Sequence, residues 1–470
     1  MKKLCKSVAL CSAALIGANE MEGLSKGTEL ELRQMNEKKV KENRNKKNPL
    51  FGAKTKILKN GLEIIVVEDV GIPRISIGVL YKVGCCDDPE NIFGISHMTE
   101  HMFFHGSKKY PTYSKIVADI GGDTNAMTSE DFTMYIVDCP SDALDLVLDI
   151  EADRMANFLL TDEKIFQKER NAVLEERLMR IENRPLGLAI EYINNCLSPQ
   201  HPYGKDSGGM RHNILAYSRE AIMEHYKKWY KPNNALLIVV GAVKAEDVFS
   251  KAEKNFGNIK RGNVPKRERV KNAITKELYH TIQYYSDKVE SEKIILLYNN
   301  APHHSEGLAK CLAFNIGLDT LFDGVVFEFC RYFMNKKALV SEFDDVYEYR
   351  TLNPKPFILQ ISLMPNIKKE RFLKEFEKKI VKTVKNGIKK EEFERAKKGK
   401  ITYLTYRACD GHRKIREEFI DLAVGLTIDD IEYVKEIIDS ITLEQVNAVL
   451  KEVFEKKPDA IVKISPSTSS

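Results

Sequence analysis

The stretch from Gly94 to Gly106 reads GISHMTEHMFFHG and carries two imidazoles and a carboxylate, at His97, Glu100 and His101. On an α-helix, which turns about 100° per residue, these three side chains fall within about 100° of one another, and Met98 and Met102 point elsewhere. Two imidazoles one turn apart can bind one zinc ion, and the carboxylate can act as general base toward a water at the metal. The pattern therefore predicts a hydrolytic zinc site, in the inverted order of the H-E-x-x-H arrangement. The alternative interpretation is a pair of surface histidines on an amphipathic helix.

A catalytic zinc site needs a third protein ligand, which is usually a carboxylate. The helix predicted over residues 162–182 offers Glu169 and Glu176, which lie about 20° apart in direction on one stripe. Glu175 is an adjacent competitor, about 100° round the helix from Glu176. Spacing alone leaves this choice open, because a helix rich in Glu and Arg is also typical of a solvated face.

The elements around these helices mix antiparallel strands with long helices. Asn60-Gly61, between two apolar runs, predicts a hairpin over residues 55–70. The basic segment IKRGNVPKRERVK, residues 259–271, indicates a boundary, and strands followed by helices recur beyond it. We therefore predict an α+β protein of two related halves, each an antiparallel-rich sheet packed with helices, that form a clamshell chamber. The predicted divisions are a signal peptide at 1–18, a charged linker at 19–50, a catalytic zinc-binding half at 51–260, a linker at 261–274 and a related half at 275–465.

The composition is that of a globular protein with a sizeable core. The chain has 470 residues, of which 43% are hydrophobic and 30% are charged, and this balance excludes a disordered polymer and a multi-span membrane protein. The 73 Lys and Arg exceed the 68 Asp and Glu by only five, so nucleic acid is not an expected partner.

The first residues have the order of a bacterial-type secretory signal. Lys2, Lys3 and Lys6 precede an apolar stretch at 8–18 that ends in small residues. The stretch is too short to span a bilayer, so no transmembrane span is expected in the mature chain. We predict export, to a bacterial periplasm; the alternative is an apolar N-terminal element of a cytoplasmic protein.

Several motifs together resemble a known family, the pitrilysin-type zinc peptidases. The chain looks closest to the branch containing the mitochondrial processing peptidase β-subunit and its bacterial homologues. The resemblance covers residues 51–258 and is diffuse over 275–465. The motifs that carry it are LKNGLEIIVVED, FGISHMTEHMFFHGS, GGDTNAMTSEDFTMY, EADRM, ERNAVLEER, HPYG and WYKPNNALLIVVG.

The resemblance implies one Zn²⁺ per chain and a role for each residue of the cluster. His97, His101 and Glu176 match the zinc ligands, and Glu100 matches the general base. Glu169 matches a nearby carboxylate that assists proton transfer. The implied activity is zinc-dependent hydrolysis of extended or unfolded peptides.

The same resemblance implies a peptide-binding edge strand. Phe104 matches an aromatic residue that lines the pocket beside the scissile bond. The stretch from Gly121 to Ser129, with Asn125, Ala126 and Thr128, matches the strand to which a substrate adds by main-chain hydrogen bonds. Without the resemblance, Phe104 is read as core and Gly121-Gly122 as a turn. His105 is read as a helix-end or surface residue rather than a ligand.

The second half departs from the family pattern. Active single-chain homologues carry an Arg and a Tyr there that hold the substrate carbonyl. Arg331 matches the Arg, but Ser341 stands where the Tyr is expected. A local misalignment would leave that role to one of three tyrosines, Tyr332, Tyr347 or Tyr349. The departure predicts a homologous partner subunit or a homodimer that supplies the missing group, and a rival interpretation is a peptide-binding subunit of a two-chain peptidase.

Overall fold

The computed structural model describes residues 49–160, 162–184, 186–198, 201–267, 281–408, 411 and 414–467. From Leu50 onward the chain forms one compact unit. The predicted signal peptide, most of the charged linker and part of the second linker lie outside the described residues.

The described residues form eleven β-strands and fifteen α-helices. The strands are β1 Lys54–Ile57, β2 Glu63–Glu68, β3 Arg74–Tyr81, β4 Asp123–Thr128, β5 Thr133–Pro140, β6 Ala235–Gly241, β7 Thr281–Ser286, β8 Lys293–Tyr298, β9 Val340–Val346, β10 Phe357–Leu363 and β11 Ala460–Pro466. The α-helices are α1 Ile95–Phe103, α2 Tyr113–Asp119, α3 Leu144–Asn157, α4 Glu163–Arg177, α5 Gly187–Leu197, α6 Arg211–Ala216, α7 Arg219–Trp229, α8 Ala245–Phe256, α9 Leu308–Phe322, α10 Glu328–Arg331, α11 Lys369–Asn386, α12 Lys390–Arg407, α13 Ile428–Glu432, α14 Val434–Ser440 and α15 Leu443–Phe454. The described residues also include three π-helical segments, Leu178–Glu182, Tyr332–Lys336 and Lys414–Glu418.

The two halves share one sheet topology. The first sheet has the order β1-β2-β6-β3-β5-β4, and the second has β7-β11-β8-β10-β9. Strands β2 to β6 of the first sheet correspond to β7 to β11 of the second. In each set the first strand pairs parallel with the last, β2 with β6 and β7 with β11, and the other pairs are antiparallel. Strand β1 is an additional edge in the first half. The prediction of an α+β protein with two related halves is confirmed.

Each sheet packs helices of its own half on one face. The core of the first half includes Met98, Met102 and Phe103 of α1, which lie against residues of β3 and β5. A second core joins α9, α11 and α15 to the second sheet. Helix α1, which carries His97, Glu100 and His101, therefore packs against the first sheet through its apolar side.

The opposite face of each sheet is covered by the other half. Ile415, Phe419 and Leu422 pack on Ile65, Leu236 and other residues of the first sheet. In return, Ala189 and Ile193 of α5 pack on the second sheet. Each covering segment comes after two long helices of its own half, α3 and α4 in the first half and α11 and α12 in the second. The covering is therefore reciprocal. None of the helices in the described ranges has the length and apolar character needed to cross a membrane.

Candidate metal centre

Helix α1 presents the two imidazoles and Glu100 on the side opposite its core face. Its N-terminus is anchored by Asp88, whose carboxylate accepts hydrogen bonds from Gly94 N at 2.8 Å and Ser96 Oγ at 2.6 Å. Gly94 has a φ of 91°, and a Cβ there would lie 2.4 Å from the Tyr217 hydroxyl. The helix start therefore requires glycine.

The other end of α1 is fixed by a buried arginine. Arg154, which is 0% exposed, donates to the Phe103 carbonyl at 3.2 Å and to Glu151 Oε1 at 2.6 Å. Its guanidinium stacks over the Tyr113 ring at 3.8 Å. Because a cation near a helix C-terminus is favoured by the helix dipole, Arg154 stabilises the helix that carries the motif.

The structure brings the α1 histidines together with a glutamate from α4. Glu176 Oε2 lies 3.2 Å from His101 Nε2 and 3.5 Å from His97 Nε2. Donors held at about 2.0–2.1 Å from one tetrahedral zinc are about 3.3 Å apart, so this spacing fits a shared ion. Ligand atoms of His97, Glu100 and His101 also lie within 4.8 Å of one another.

Glu176 is oriented by its own helix, and Glu175 points elsewhere. Arg180, one turn further on, pairs with Glu176 Oε1 at 2.8 Å and leaves Oε2 toward the histidines. Glu175 is exposed to solvent. Of the adjacent pair Glu175 and Glu176, Glu176 is the one that the structure brings to the Nε2 atoms of His97 and His101.

Glu169 lies behind His101 and binds two histidines. Its Oε2 is 3.3 Å from His101 Nδ1, and its Oε1 is 3.0 Å from His105 Nε2. A carboxylate on the second ring nitrogen fixes the tautomer that leaves Nε2 free to bind metal. The sequence interpretation of His105 as a helix-end residue missed this contact. The available signal was its spacing, one turn beyond His101.

The charge state of the cluster follows from burial and these contacts. Burial lowers the pKa of His97 to about 4, which keeps this imidazole neutral, as a ligand requires. Burial also lowers the pKa of His101, but hydrogen bonds with Glu169 and Glu176 outweigh it and raise the pKa to about 9. The same hydrogen bonds hold the pKa of both glutamates at about 2.

Glu100 stands beside the donors and is held by the edge strand. It is 8% exposed, and Thr128 Oγ1 donates to its Oε2 at 2.6 Å. Burial raises the pKa of Glu100, and the Thr128 hydrogen bond acts in the opposite direction. A buried carboxylate whose pKa is raised is suited to accept and return a proton.

A cavity of about 610 Å³ opens beside Glu100 and His101 and is lined by Phe104, His105 and Glu169, among others. The Phe104 ring also packs against the rings of Tyr113 and Tyr135. Strand β4, which carries Asn125 and Ala126, pairs with β5 alone in the described sheet. An edge strand with a free side can accept an added peptide strand.

The C-terminal candidates lie apart from this cluster. Arg331 is exposed at the end of α10, and Ser341 Oγ donates to the Ser362 carbonyl within the second sheet. The tyrosines of the misalignment alternative contact partners of their own half. Tyr332 donates to Glu375 and Tyr347 to the Pro302 carbonyl, and the Tyr349 ring packs at a tilt against the Tyr347 ring. Neither Arg331 nor Ser341 lines the cavity beside Glu100.

Two family models match the chain in succession. Residues 64–198 match "Insulinase (Peptidase family M16)", and residues 216–400 match "Peptidase M16 inactive domain". Zinc protease PqqE of Helicobacter pylori is 35% identical over 208 residues, which are 43% of this chain and 46% of that protein. The matched region is thus less than half the length of this relative.

Solved structures match over most of the chain. A protease from Helicobacter pylori superposes with a TM-score of 0.76 at 25% identity, covering 90% of this chain and 100% of that one. The periplasmic protease PqqL from Escherichia coli matches with a TM-score of 0.70 at 16% identity, covering 88% of this chain and 47% of that one. The motifs, the shared fold and the two family matches, over residues 64–198 and 216–400, place this chain in peptidase family M16.

Proposed function

We propose that this chain is a zinc-dependent endopeptidase that hydrolyses extended or unfolded peptides, with one zinc ion held by His97, His101 and Glu176. The observation that carries the proposal is the position of Glu176 Oε2, 3.2 and 3.5 Å from the two Nε2 atoms. These separations fit three donors of one tetrahedral ion and leave a fourth position for solvent or substrate.

Zinc at this position would supply Lewis-acid polarisation and lower the pKa of a coordinated water to about 7. The side chains of the protein do the rest. Glu100 accepts a proton from the attacking water and returns it to the leaving amine. Thr128 holds the carboxylate of Glu100, and Glu169 holds the ring of His101 in the tautomer that ligates.

Substrate specificity in this proposal comes from backbone pairing. A peptide that adds along β4 forms hydrogen bonds mainly through its main chain, so the protein does not discriminate among most of the peptide's side chains. Asn125, which is exposed, and Ala126 lie along that strand, and Phe104 borders the cavity next to Glu100. Only an extended segment can pair in this way, which favours unfolded substrates.

The test is cleavage of an unstructured peptide by the purified, zinc-loaded chain. We expect zinc-dependent cleavage by the wild type and its loss in Glu100→Gln with the bound zinc retained. Glu175→Gln is the matched control, because it makes the same change at an exposed glutamate. Equal cleavage by Glu100→Gln and the wild type would disprove the role of the base. Chelation should abolish activity and leave the far-UV circular dichroism in place, whereas a structural zinc would give unfolding.

A second candidate is a subunit of a two-chain peptidase whose homologous partner, or a second copy, supplies carbonyl-binding groups. It is favoured by Ser341, whose hydroxyl is already bonded within its own sheet, and by the exposed position of Arg331. The fold match to PqqL covers 47% of that longer protein, which leaves room for a second such unit. Adding a co-purifying homologue to the peptide assay separates the two: a large gain in turnover supports the two-chain form, and unchanged turnover supports the single chain.

We also propose that the chain is exported, on the charged and apolar pattern of residues 1–18. The mass of the protein isolated from its source tests this. A mature N-terminus after residue 18 supports export, and a chain beginning at Met1 favours the cytoplasmic alternative.

A further inference from the structure

The turn between β4 and β5 links the general base to the second half. The turn is closed by a hydrogen bond from Ser129 N to the Phe132 carbonyl at 2.9 Å. Thr128, which donates to Glu100, immediately precedes it. The turn therefore sets the position of the last residue of the edge strand.

Asp131 in this turn is buried and receives bonds from three other segments. It is 2% exposed. Its Oδ2 accepts from the Tyr203 hydroxyl at 2.7 Å and from Leu352 N at 2.9 Å, and its Oδ1 accepts from Arg267 at 3.3 Å. The Tyr203 hydroxyl in turn accepts from Asn353 N at 3.1 Å. One carboxylate thus joins the turn to the HPYG loop and to residues 352–353 of the second half.

The neighbouring turn residue is held by the second half as well. Lys355 Nζ pairs with Glu130 Oε1 at 2.6 Å and also with Glu348. Lys355 lies in the loop between β9 and β10. The second half therefore contacts the hairpin through two adjacent acidic residues, Glu130 and Asp131, and neither of them has a role in the zinc chemistry described above.

Two polar contacts between the halves lie away from this turn. Lys414 pairs with Asp69 at 3.0 Å, and Glu432 accepts from Phe51 N at 2.7 Å. Asp69 follows β2, whereas β4 is at the opposite edge of the first sheet. The two groups of contacts can therefore be disturbed separately.

We infer that Asp131 and Tyr203 are positioning residues, through which the second half holds the β4–β5 turn and keeps Thr128 in contact with Glu100. The inference deepens the proposed function and rests on it. Since a displacement of about 1 Å near reacting groups can cost up to about a hundredfold in rate, losing one of several bonds at the turn should have a smaller effect.

The experiment compares Tyr203→Phe and Asp131→Asn with the wild type and with Asp69→Asn. The control makes the same acid-to-amide change at an inter-half contact far from the turn. For both turn variants we expect kcat about tenfold lower, KM changed less than threefold because the backbone of β4 remains, and zinc content unchanged. Amide hydrogen exchange should rise in peptides covering residues 123–140. Asp69→Asn should keep the wild-type kcat and the wild-type exchange of that hairpin.

Three results would overturn the inference: wild-type kcat in both turn variants, a rise in KM alone, or faster exchange spread equally over both halves. If the wild type itself cleaves no peptide, the proposed function fails. The exchange measurement then still decides whether Asp131 and Tyr203 hold the turn.

Discussion

Replacing three glutamates of α4 one at a time should rank their contributions to zinc binding. Glu175→Gln should bind zinc as the wild type does, because Glu175 is exposed and faces away from the cluster. Glu169→Gln should bind more weakly, and Glu176→Gln most weakly, because the last change removes a charged donor. The three substitutions are chemically identical and lie on one helix, so they differ only in what each carboxylate contacts.

The size of the Glu169 effect follows from its two contacts. Its carboxylate binds His101 Nδ1 at 3.3 Å and His105 Nε2 at 3.0 Å, and a glutamine can offer an acceptor to only one of them. Loss of a group that orients a ligating histidine typically costs about 10–100-fold in metal affinity, or about 1.4–2.7 kcal/mol. We expect the Glu169→Gln dissociation constant for zinc to rise within that range.

The assay is a competition titration of each zinc-loaded variant against a chromophoric chelator at pH 7.5, with circular dichroism as a check on folding. The reasoning would be refuted if Glu175→Gln lost as much affinity as Glu176→Gln, or if Glu169→Gln bound zinc as tightly as the wild type.

Three further predictions follow from the same contacts. Thr128→Val removes a hydrogen bond that lowers the pKa of Glu100. The acid limb of the pH profile of kcat/KM should therefore move to higher pH by about one unit. An unchanged acid limb would contradict this prediction. Zinc must displace a proton from His101, whose pKa is about 9, so zinc binding at pH 7 should release about one proton, and the affinity for zinc should rise with pH up to about 9. Calorimetry in buffers of different ionisation enthalpy measures the proton release. Zero release would refute the prediction. Arg154→Met leaves the carboxylate of Glu151 buried without its ion-pair partner. The free energy of unfolding, measured in urea, should therefore fall by about 3–5 kcal/mol. A loss below about 1 kcal/mol would be inconsistent with the buried pair.

Local patterns were enough to predict the elements that carry the cluster. Helical spacing placed His97, Glu100 and His101 on one face, and the structure puts Met98 and Met102 of the same helix in the core. The helix predicted over residues 162–182 corresponds to α4, Glu163–Arg177, and the π-helical segment Leu178–Glu182 that continues it. These are amphipathic or apolar segments, in which the preferences of single residues agree with the fold.

Features that depend on distant contacts were not accessible in this way. The residues of β9 read VSEFDDV, with two adjacent aspartates that disfavour a strand, and pairing with β10 overrides that preference. The choice of Glu176 over Glu175 depends on where α4 packs, and spacing could not decide it. The reciprocal covering of the two sheets involves residues more than a hundred positions apart, which no local pattern encodes.

The central claim is that His97, His101 and Glu176 bind one zinc ion and leave a position for solvent. A crystal structure of the zinc-loaded chain, with anomalous data collected at the zinc edge, tests it most directly. We expect a single peak about 2.0–2.1 Å from both Nε2 atoms and from an oxygen of Glu176, with a water or substrate oxygen as the fourth ligand. A peak elsewhere, or a fourth protein side chain that closes the shell, would contradict the account.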